Sequence, residues 1–134
     1  MTEAKKLFIT WSEIDTHISY LAEKIKEEAP QFTTITGLPR GGLIPAVMLS
    51  HFTGLEYIDF TEAYPESTLI VDDIVDSGRT IEDLNSNGYY TVSLFTRYST
   101  SNQPKLTARI IPNDDWLVFP WERVDSKTIQ DYLA

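Results

Sequence analysis

Between Thr68 and Ile81 the chain reads TLIVDDIVDSGRTI. Strand-forming residues lead into two adjacent acids, Asp72 and Asp73, and a third acid opens the segment Asp76-Ser77-Gly78-Arg79-Thr80. Gly78 lets backbone N–H groups turn to one side, and a helix starting just after it would add unpaired donors and a positive dipole end. Ser77 and Thr80 contribute hydroxyl donors, so the segment has the make-up of a phosphate cradle. Asp72 and Asp73 do not suit that ligand. Carboxylates accept hydrogen bonds, and they match sugar hydroxyls or a hydrated magnesium ion. A ribose carrying a 5′-phosphate has all the complementary parts. Without such a ligand, the same residues would be a helix cap and a solvated acid pair.

A second unusual stretch is Gly37-Leu38-Pro39-Arg40-Gly41-Gly42. Arg40 offers positive charge, and the glycines let backbone N–H groups approach an anion closely. The bland alternative is a glycine-rich turn with a surface arginine. Trp116 and Leu117 open an aromatic segment of semi-exposed character that runs to Trp121. Trp116 suits either the core or a stacking platform for a flat ligand.

The elements that must position these residues follow from periodicity. Ser12-Glu13-Ile14-Asp15 resembles a capping box with Asp in place of Glu. Ile14, Ile18, Leu21 and Ile25 then recur at helical spacing, and the helix should stop near Ala29-Pro30. Phe32 to Thr36 reads as a strand. Leu43 to Phe52 is apolar almost all round and predicts a buried helix that ends near Gly54. Tyr57 to Phe60 and Leu69 to Val71 read as strands, the latter apolar on both faces as a central parallel strand should be. A short helix begins at Thr80 and closes around Asn87-Gly88. Tyr90 to Phe95 and Arg109 to Ile111 are further strands, and Asp125 to Leu133 suits a terminal helix. Strands alternating with helices predict an α/β fold, a central and mostly parallel sheet flanked by helices. In such sheets ligands sit at the carboxyl ends of the strands, so both unusual loops should share one rim.

Composition bounds the partners. The chain has 134 residues, which suits a single domain over 1–134. Its net charge is -9, with 20 acids against 11 bases. That field disfavours general nucleic-acid binding, and an anionic substrate would need a divalent cation as escort. There is no cysteine, which excludes disulfides, thiolate nucleophiles and cysteine zinc sites. No apolar run approaches a membrane span, and Leu7-Phe8-Ile9 is too short for a signal-peptide core. The chain reads as a cytoplasmic protein. His17 and His51 have no metal-ligand partners at useful spacing and read as surface or satisfied histidines.

LIVDDIVDSGRT resembles the phosphoribosyl pyrophosphate signature of the type I phosphoribosyltransferases. LPRGGLIPA resembles the pyrophosphate loop of the bacterial xanthine-guanine phosphoribosyltransferases, DWLVFPWE their purine-binding segment and FITWSEI their N-terminus. The resemblance runs from Phe8 to Arg123 and points to the 6-oxopurine branch. It implies the type I phosphoribosyltransferase fold with a minimal C-terminal hood. The implied activity is a pentosyl transfer from phosphoribosyl pyrophosphate to a purine base, with Mg2+ as cofactor. The protein would bind phosphoribosyl pyrophosphate and a purine base or nucleoside monophosphate, and would assemble as a homodimer or homotetramer.

Carried over by position, the ribose hydroxyls fall to Asp72 and Asp73, with Asp73 also near magnesium, directly or through water. Asp76 falls where the family has its proposed general base near purine N7. Ser77, Gly78, Arg79 and Thr80 complete the 5′-phosphate loop. Pyrophosphate falls to Pro39, Arg40, Gly41 and Gly42, with a non-proline cis bond before Arg40. Trp116 matches the stacking aromatic and Leu117 the neighbour whose backbone meets the base edge. Arg97 stands where the oxopurine enzymes usually carry a lysine that donates to the 6-oxo group. A rigid guanidinium fork replaces a point charge there. The family's long flexible hairpin is missing. The whole connection is Thr61-Glu62-Ala63-Tyr64-Pro65-Glu66-Ser67, an ordinary loop length with no basic residue. Closure over the site then comes from a neighbouring subunit, or turnover is weak, or the protein binds nucleotide without turnover, as a sensor or regulator.

Overall fold

The computed structural model describes residues 5–123. Its helices begin and end where local chemistry dictates. Helix α1 (Trp11–Glu28) is capped by Thr10, whose hydroxyl accepts from the Glu13 N–H at 3.1 Å. The capping pair is therefore Thr10 and Glu13, two residues before the expected Ser12 and Asp15. A glutamate at the third helical position is long enough to reach back to the cap, and the Glu13 carboxylate lies 3.5 Å from the Thr10 hydroxyl. The stripe Ile14, Ile18, Leu21, Ala22 and Ile25 is buried as its spacing predicts. Helix α2 (Leu43–Thr53) ends at Gly54, which takes the left-handed conformation at φ 80°. It is not buried all round. Val47 and Phe52 are 43% and 41% exposed, because only the side carrying Pro45, Ala46 and Leu49 meets other elements.

The remaining elements are β1 (Lys6–Phe8), β2 (Thr34–Gly37), β3 (Glu56–Tyr57), β4 (Thr68–Val75), α3 (Arg79–Ser86), β5 (Tyr90–Arg97), β6 (Leu106–Ile111) and β7 (Trp116–Val118). A five-stranded sheet runs in the order β3-β2-β4-β5-β6, and every pairing in it is parallel. Strand β1 was not expected from the sequence. It pairs in parallel with β7 in a separate two-stranded sheet, and its three residues are too few to show a period. The expected strand at Tyr57–Phe60 shrinks to Glu56–Tyr57. Asp59 then caps a 3-10 turn over Phe60–Glu62, accepting from the Thr61 N–H at 2.9 Å and the Thr61 hydroxyl at 2.8 Å. The helix expected at Asp125–Leu133 lies outside the described residues.

Helices α1 and α2 pack on one face of the sheet over Ile35, Leu69, Val71, Val92 and Leu94. Leu84 of α3 packs on Ile70 and Leu38 in a second, smaller cluster. Leu69, Ile70 and Val71 thus send successive side chains to opposite faces, as strand alternation requires. From β2 the chain crosses to β3 on one side, and from the central β4 it crosses to β5 on the other. The carboxyl ends of β2 and β4 therefore flank the switch point of the sheet, where open α/β sheets form their crevice.

Replacing Thr10 with alanine should destabilise the protein by about 1 kcal/mol through loss of the cap. Ser12→Ala should fall within about 0.5 kcal/mol of the parent. Denaturant melts of both variants check this, and equal losses would return the cap to Ser12.

Candidate functional site

Strand β4 does not stop before the acids. It continues through Asp72 and Asp73 to Val75, because Asp72 pairs with Ser93 and Ile74 with Phe95 in unbroken register with β5. The two acids are strand residues rather than loop residues. Their carboxyls stay within hydrogen-bonding reach of each other, yet each also meets a different loop. Asp72 lines an open, shallow concavity with Val75, Asp76, Ser77, Gly78, Arg79, Thr80 and Ile81. Asp73 reaches the loop after β2 instead. A Cβ at Gly41 would run into the Asp73 carboxylate, so Gly41 must be glycine for that acid to sit where it does.

The same loop is packed tightly elsewhere. A Cβ at Gly37 would meet the backbone of Gly42, and one at Gly42 would meet the carbonyl of Val71. The Leu38 N–H donates to that carbonyl at 2.8 Å. The Pro39–Arg40 peptide bond is cis, as expected from the resemblance. Asp73 therefore borders the Pro39–Gly42 loop through Gly41, and Asp72 shares its concavity with the Asp76–Thr80 loop. Both lie at the carboxyl ends of their strands.

The phosphate-type loop has the expected polarity. Helix α3 starts after Gly78, which has φ 80° and offers no side-chain cap. The cap residue itself has no side chain to take the first N–H groups of that helix, and the positive end of the helix dipole lies beside them. The Ser77 oxygen accepts from the Arg79 N–H at 3.4 Å, which leaves its hydroxyl proton to donate elsewhere.

Arg97, at the end of β5, is 8% exposed. Its Nε donates to the Asp76 carboxylate at 3.1 Å and its Nη1 to the Asn113 carbonyl at 2.8 Å. It ties the acidic loop to the segment before β7. Trp116 is 38% exposed and Leu117 only 5%, so the tryptophan is not core while the leucine side chain is. Backbone pairing places the Leu117 peptide groups. The Trp116 N–H donates to Lys5 and the Val118 carbonyl accepts from Ile9. In a parallel ladder the intervening residue then turns its own N–H and C=O to the opposite edge. Pro39 to Gly42, Asp73, Arg97, Trp116 and Leu117 do not line the concavity around Asp72.

Two residues with no role in the sequence reading belong to this region. Glu122 accepts from the Phe119 N–H at 2.8 Å. Burial pushes its carboxyl up, and the charge of Asp73 adds to the rise. Thr100 is buried and bonded to the Ser77 carbonyl. Neither carries a local pattern that spacing would reveal; each is brought in by the fold.

Electrostatics at the acid pair is unfavourable without a ligand. Burial pushes the Asp72 carboxyl well above the carboxylate range, and the neighbouring Asp73 charge pushes it further. Burial raises Asp73 as well. The Asp73 and Ile74 N–H groups donate to Asp72 and Asp73 at 2.9 and 2.8 Å and offset only part of this. The oxygens of this region suit hydroxyl donors or a hard cation.

No family model matches the chain. The purine phosphoribosyltransferase of Pyrococcus horikoshii is 30% identical with a TM-score of 0.72, over 92% of this chain and 99% of that one. The xanthine-guanine phosphoribosyltransferase of Vibrio parahaemolyticus is 29% identical over 89% of this chain and 90% of its own length. The Helicobacter pylori xanthine-guanine-hypoxanthine phosphoribosyltransferase shares the fold, with a TM-score of 0.74 at 20% identity over 90% of this chain and 95% of that one.

Asp72→Asn should make the ligand-free protein more stable at neutral pH. A carboxyl whose folded pKa is raised contributes stability that is fully present below the unfolded value near 4 and lost as pH rises through the folded one. Asparagine keeps the acceptor for the Asp73 N–H and removes the charge. The melting temperature at pH 7 should rise by a few degrees, on the order expected for about 1 kcal/mol. The gain should shrink as pH approaches 4, and a gain independent of pH would remove charge burial as its cause.

Proposed function

The chain belongs to the type I phosphoribosyltransferases, enzymes of the pentosyltransferase class, and from that premise we propose that it acts on 6-oxopurines. It transfers 5-phosphoribosyl from phosphoribosyl pyrophosphate to guanine, xanthine or hypoxanthine and releases pyrophosphate. The observation that carries the reading is an adjacent acid pair on β4 that meets both unusual loops. Asp72 shares a concavity with the Asp76–Thr80 loop, while Asp73 meets the Pro39–Gly42 loop through Gly41. A ribose 5-phosphate matches the first surface and a pyrophosphate the second.

In this reading Ser77, Gly78, Arg79 and Thr80 hold the 5′-phosphate with backbone and hydroxyl donors at the start of α3. Asp72 and Asp73 accept from the ribose hydroxyls. Pro39, Arg40, Gly41 and Gly42 hold the pyrophosphate, with Arg40 supplying charge. The purine nitrogen attacks C1 as the bond from C1 to the pyrophosphate oxygen breaks, and that oxygen keeps the electron pair. The centre acquires oxocarbenium character, so catalysis is mainly positioning and charge stabilisation. Asp76 holds negative charge near the cationic sugar as C1 opens, and then becomes neutral on receiving the proton that the purine imidazole ring gives up. Trp116 stacks on the base and the outward Leu117 peptide groups meet its edge. Arg97 spends Nε on Asp76 and one Nη1 proton on Asn113. The rest of its fork can donate to the 6-oxo group.

A magnesium ion fits the acidic side of the site. The donors are hard carboxylate oxygens, and the mutual repulsion of Asp73 and Glu122 is what a cation relieves. Among the described residues no group of three or more His, Asp or Glu side chains forms a cage. Asp73, directly or through water, would hold the ion together with oxygens of the substrate. Its contribution is to neutralise charge on the pyrophosphate. The reading takes residues 1–134 as one domain, assembled as a homodimer or homotetramer in the cytoplasm. Among the described residues no helix is long and apolar enough to cross a membrane.

The alternative is a member of the family that binds nucleotide without turnover. It is favoured by the connection from β3 to β4, which is pinned rather than free. The Tyr64 N–H donates to the Thr68 hydroxyl at 3.1 Å and the Tyr89 hydroxyl to the Ala63 carbonyl at 3.2 Å.

A turnover assay decides between them. Phosphoribosyl pyrophosphate, magnesium and each of the three bases are incubated with the protein, and nucleotide formation is followed. Product is expected with at least one base, and Asp76→Ala should lower the rate at least roughly 100-fold, as for loss of a general base. Nucleotide binding without product would establish the alternative.

A further inference from the structure

The segment after β5 grips the phosphate-type loop from outside. Thr100 is 9% exposed and sits on a connection with no assigned role. Its hydroxyl donates to the Ser77 carbonyl at 3.0 Å, with the Asn102 carbonyl a second acceptor at 3.3 Å, and it accepts from the Asn102 N–H at 3.3 Å. Its own N–H donates to Arg97 at 3.3 Å, and its carbonyl accepts from the Gln103 side chain at 3.0 Å. The connection is also fastened to α3. Asn85 donates to the Gln103 carbonyl at 3.0 Å, and Asn102 donates to Glu82 at 3.4 Å.

One peptide unit makes this contact matter. The Ser77 carbonyl and the Gly78 N–H belong to the same planar trans group and point in opposite directions. Holding the carbonyl against Thr100 aims the Gly78 N–H the other way. Gly78 lines the concavity beside Asp72, and Thr100 does not. Gly78 has φ 80° and ψ 6°, in the left-handed region that glycine enters freely. Reversing the Ser77–Gly78 peptide would exchange the directions of its carbonyl and N–H. The flip would turn a carbonyl oxygen toward any anion in the concavity. A Cβ at Gly78 would strike the Thr100 hydroxyl and Asn102, so the glycine is needed both for its φ and for the closeness of this support.

We propose that Thr100 is a positioning residue for the phosphate loop. Its hydroxyl holds the Ser77–Gly78 peptide with the carbonyl outward and the N–H available to the phosphate of the substrate. The inference rests on the reading that Asp76–Thr80 receives a 5′-phosphate.

The test compares GMP with guanosine, which differ only in that phosphate, by calorimetric titration of the full chain. Thr100→Val keeps the shape and removes the hydroxyl. It should weaken GMP roughly tenfold, as for a lost hydrogen bond to a charged group, and leave guanosine unchanged. Thr100→Ser should restore the parental preference. In turnover the valine variant should raise KM for phosphoribosyl pyrophosphate and leave KM for the base unchanged. Should the valine variant not fold, Thr100→Cys, whose thiol is a weak donor, takes its place with the same expectation. A valine or cysteine variant that keeps the full preference for GMP would overturn the role of Thr100 and leave the proposed function standing. Equal losses for GMP and guanosine would also overturn it, as the mark of a merely structural residue. A parent protein that does not distinguish the two ligands would overturn the phosphate-loop reading and this inference together.

Discussion

Two carboxylates placed on consecutive residues of a buried strand impose most of the local design. Asp72 and Asp73 keep their carboxyls within hydrogen-bonding reach of each other, yet each meets a different loop, so one strand serves two loops. Asp72, 3% exposed, meets the concavity that begins at Asp76. Asp73 meets the loop after β2, which must carry a glycine at position 41 to admit it. Displacing β4 by one residue would exchange the two acids and leave both loops facing the wrong partner. The unbroken register with β5 and the four pairs with β2 fix β4 against such a slip.

The topology makes this economical. Crossovers leave β2 and β4 toward opposite faces, so the carboxyl ends of these neighbours are uncovered together. Loops packed only by their own residues would be too mobile to aim single N–H groups. Here the supports come from outside. Val71 of β4 receives the Leu38 N–H, and the end of β5 with the residues after it holds the Asp76–Gly78 loop through Arg97 and Thr100. Arg97 extends the linkage to Asn113, just before the strand that carries Trp116. Acidic loop, phosphate-type loop and aromatic segment are thus fastened to a single strand end. Arginine suits that post better than lysine, because its planar fork can hold two acceptors and still present further donors.

Legibility in the sequence followed the range of the interaction. The α/β order, the stripe on α1, the end of α2 at Gly54 and the two loops sharing a rim were readable, because each rests on short-range periodicity or on one residue type. The cis bond before Arg40 came from the resemblance rather than from any local rule. The cap at Thr10 was misplaced by two residues, since Ser12 and Asp15 mimic the same pattern one half-turn on. Strand β1 was invisible because Lys6–Phe8 is too short to show a period and exists through pairing with Trp116–Val118, more than a hundred positions away. The acids were read as loop because aspartate has low strand propensity, and tertiary pairing overrode it. The sequence reads His17 as a surface or satisfied histidine. Its Nε2 has no partner, its ring stands edge-on to Phe95 at 5.3 Å, and burial lowers its pKa. Thr100 was missed for the same reason as β1. Its importance lies in a carbonyl 23 residues away.

The buried acid pair also separates a ligand site from a structural motif. A chain that needed only a stable strand would gain by placing apolar residues at positions 72 and 73, since burying like charges side by side opposes folding. The local compensation is limited, because the backbone N–H groups of Asp73 and Ile74 reach one oxygen of each acid. The rise in both carboxyls reflects what is left over. Glu122 is pushed the same way by Asp73, so the field extends to the chain beyond β7. Such a concentration of negative charge becomes favourable only when hydroxyl donors or a cation enter it. In the proposed reading that guest is a polyhydroxylated phosphate ester escorted by a divalent ion. That guest completes the electrostatics of β4 in the way a second side chain completes an ion pair.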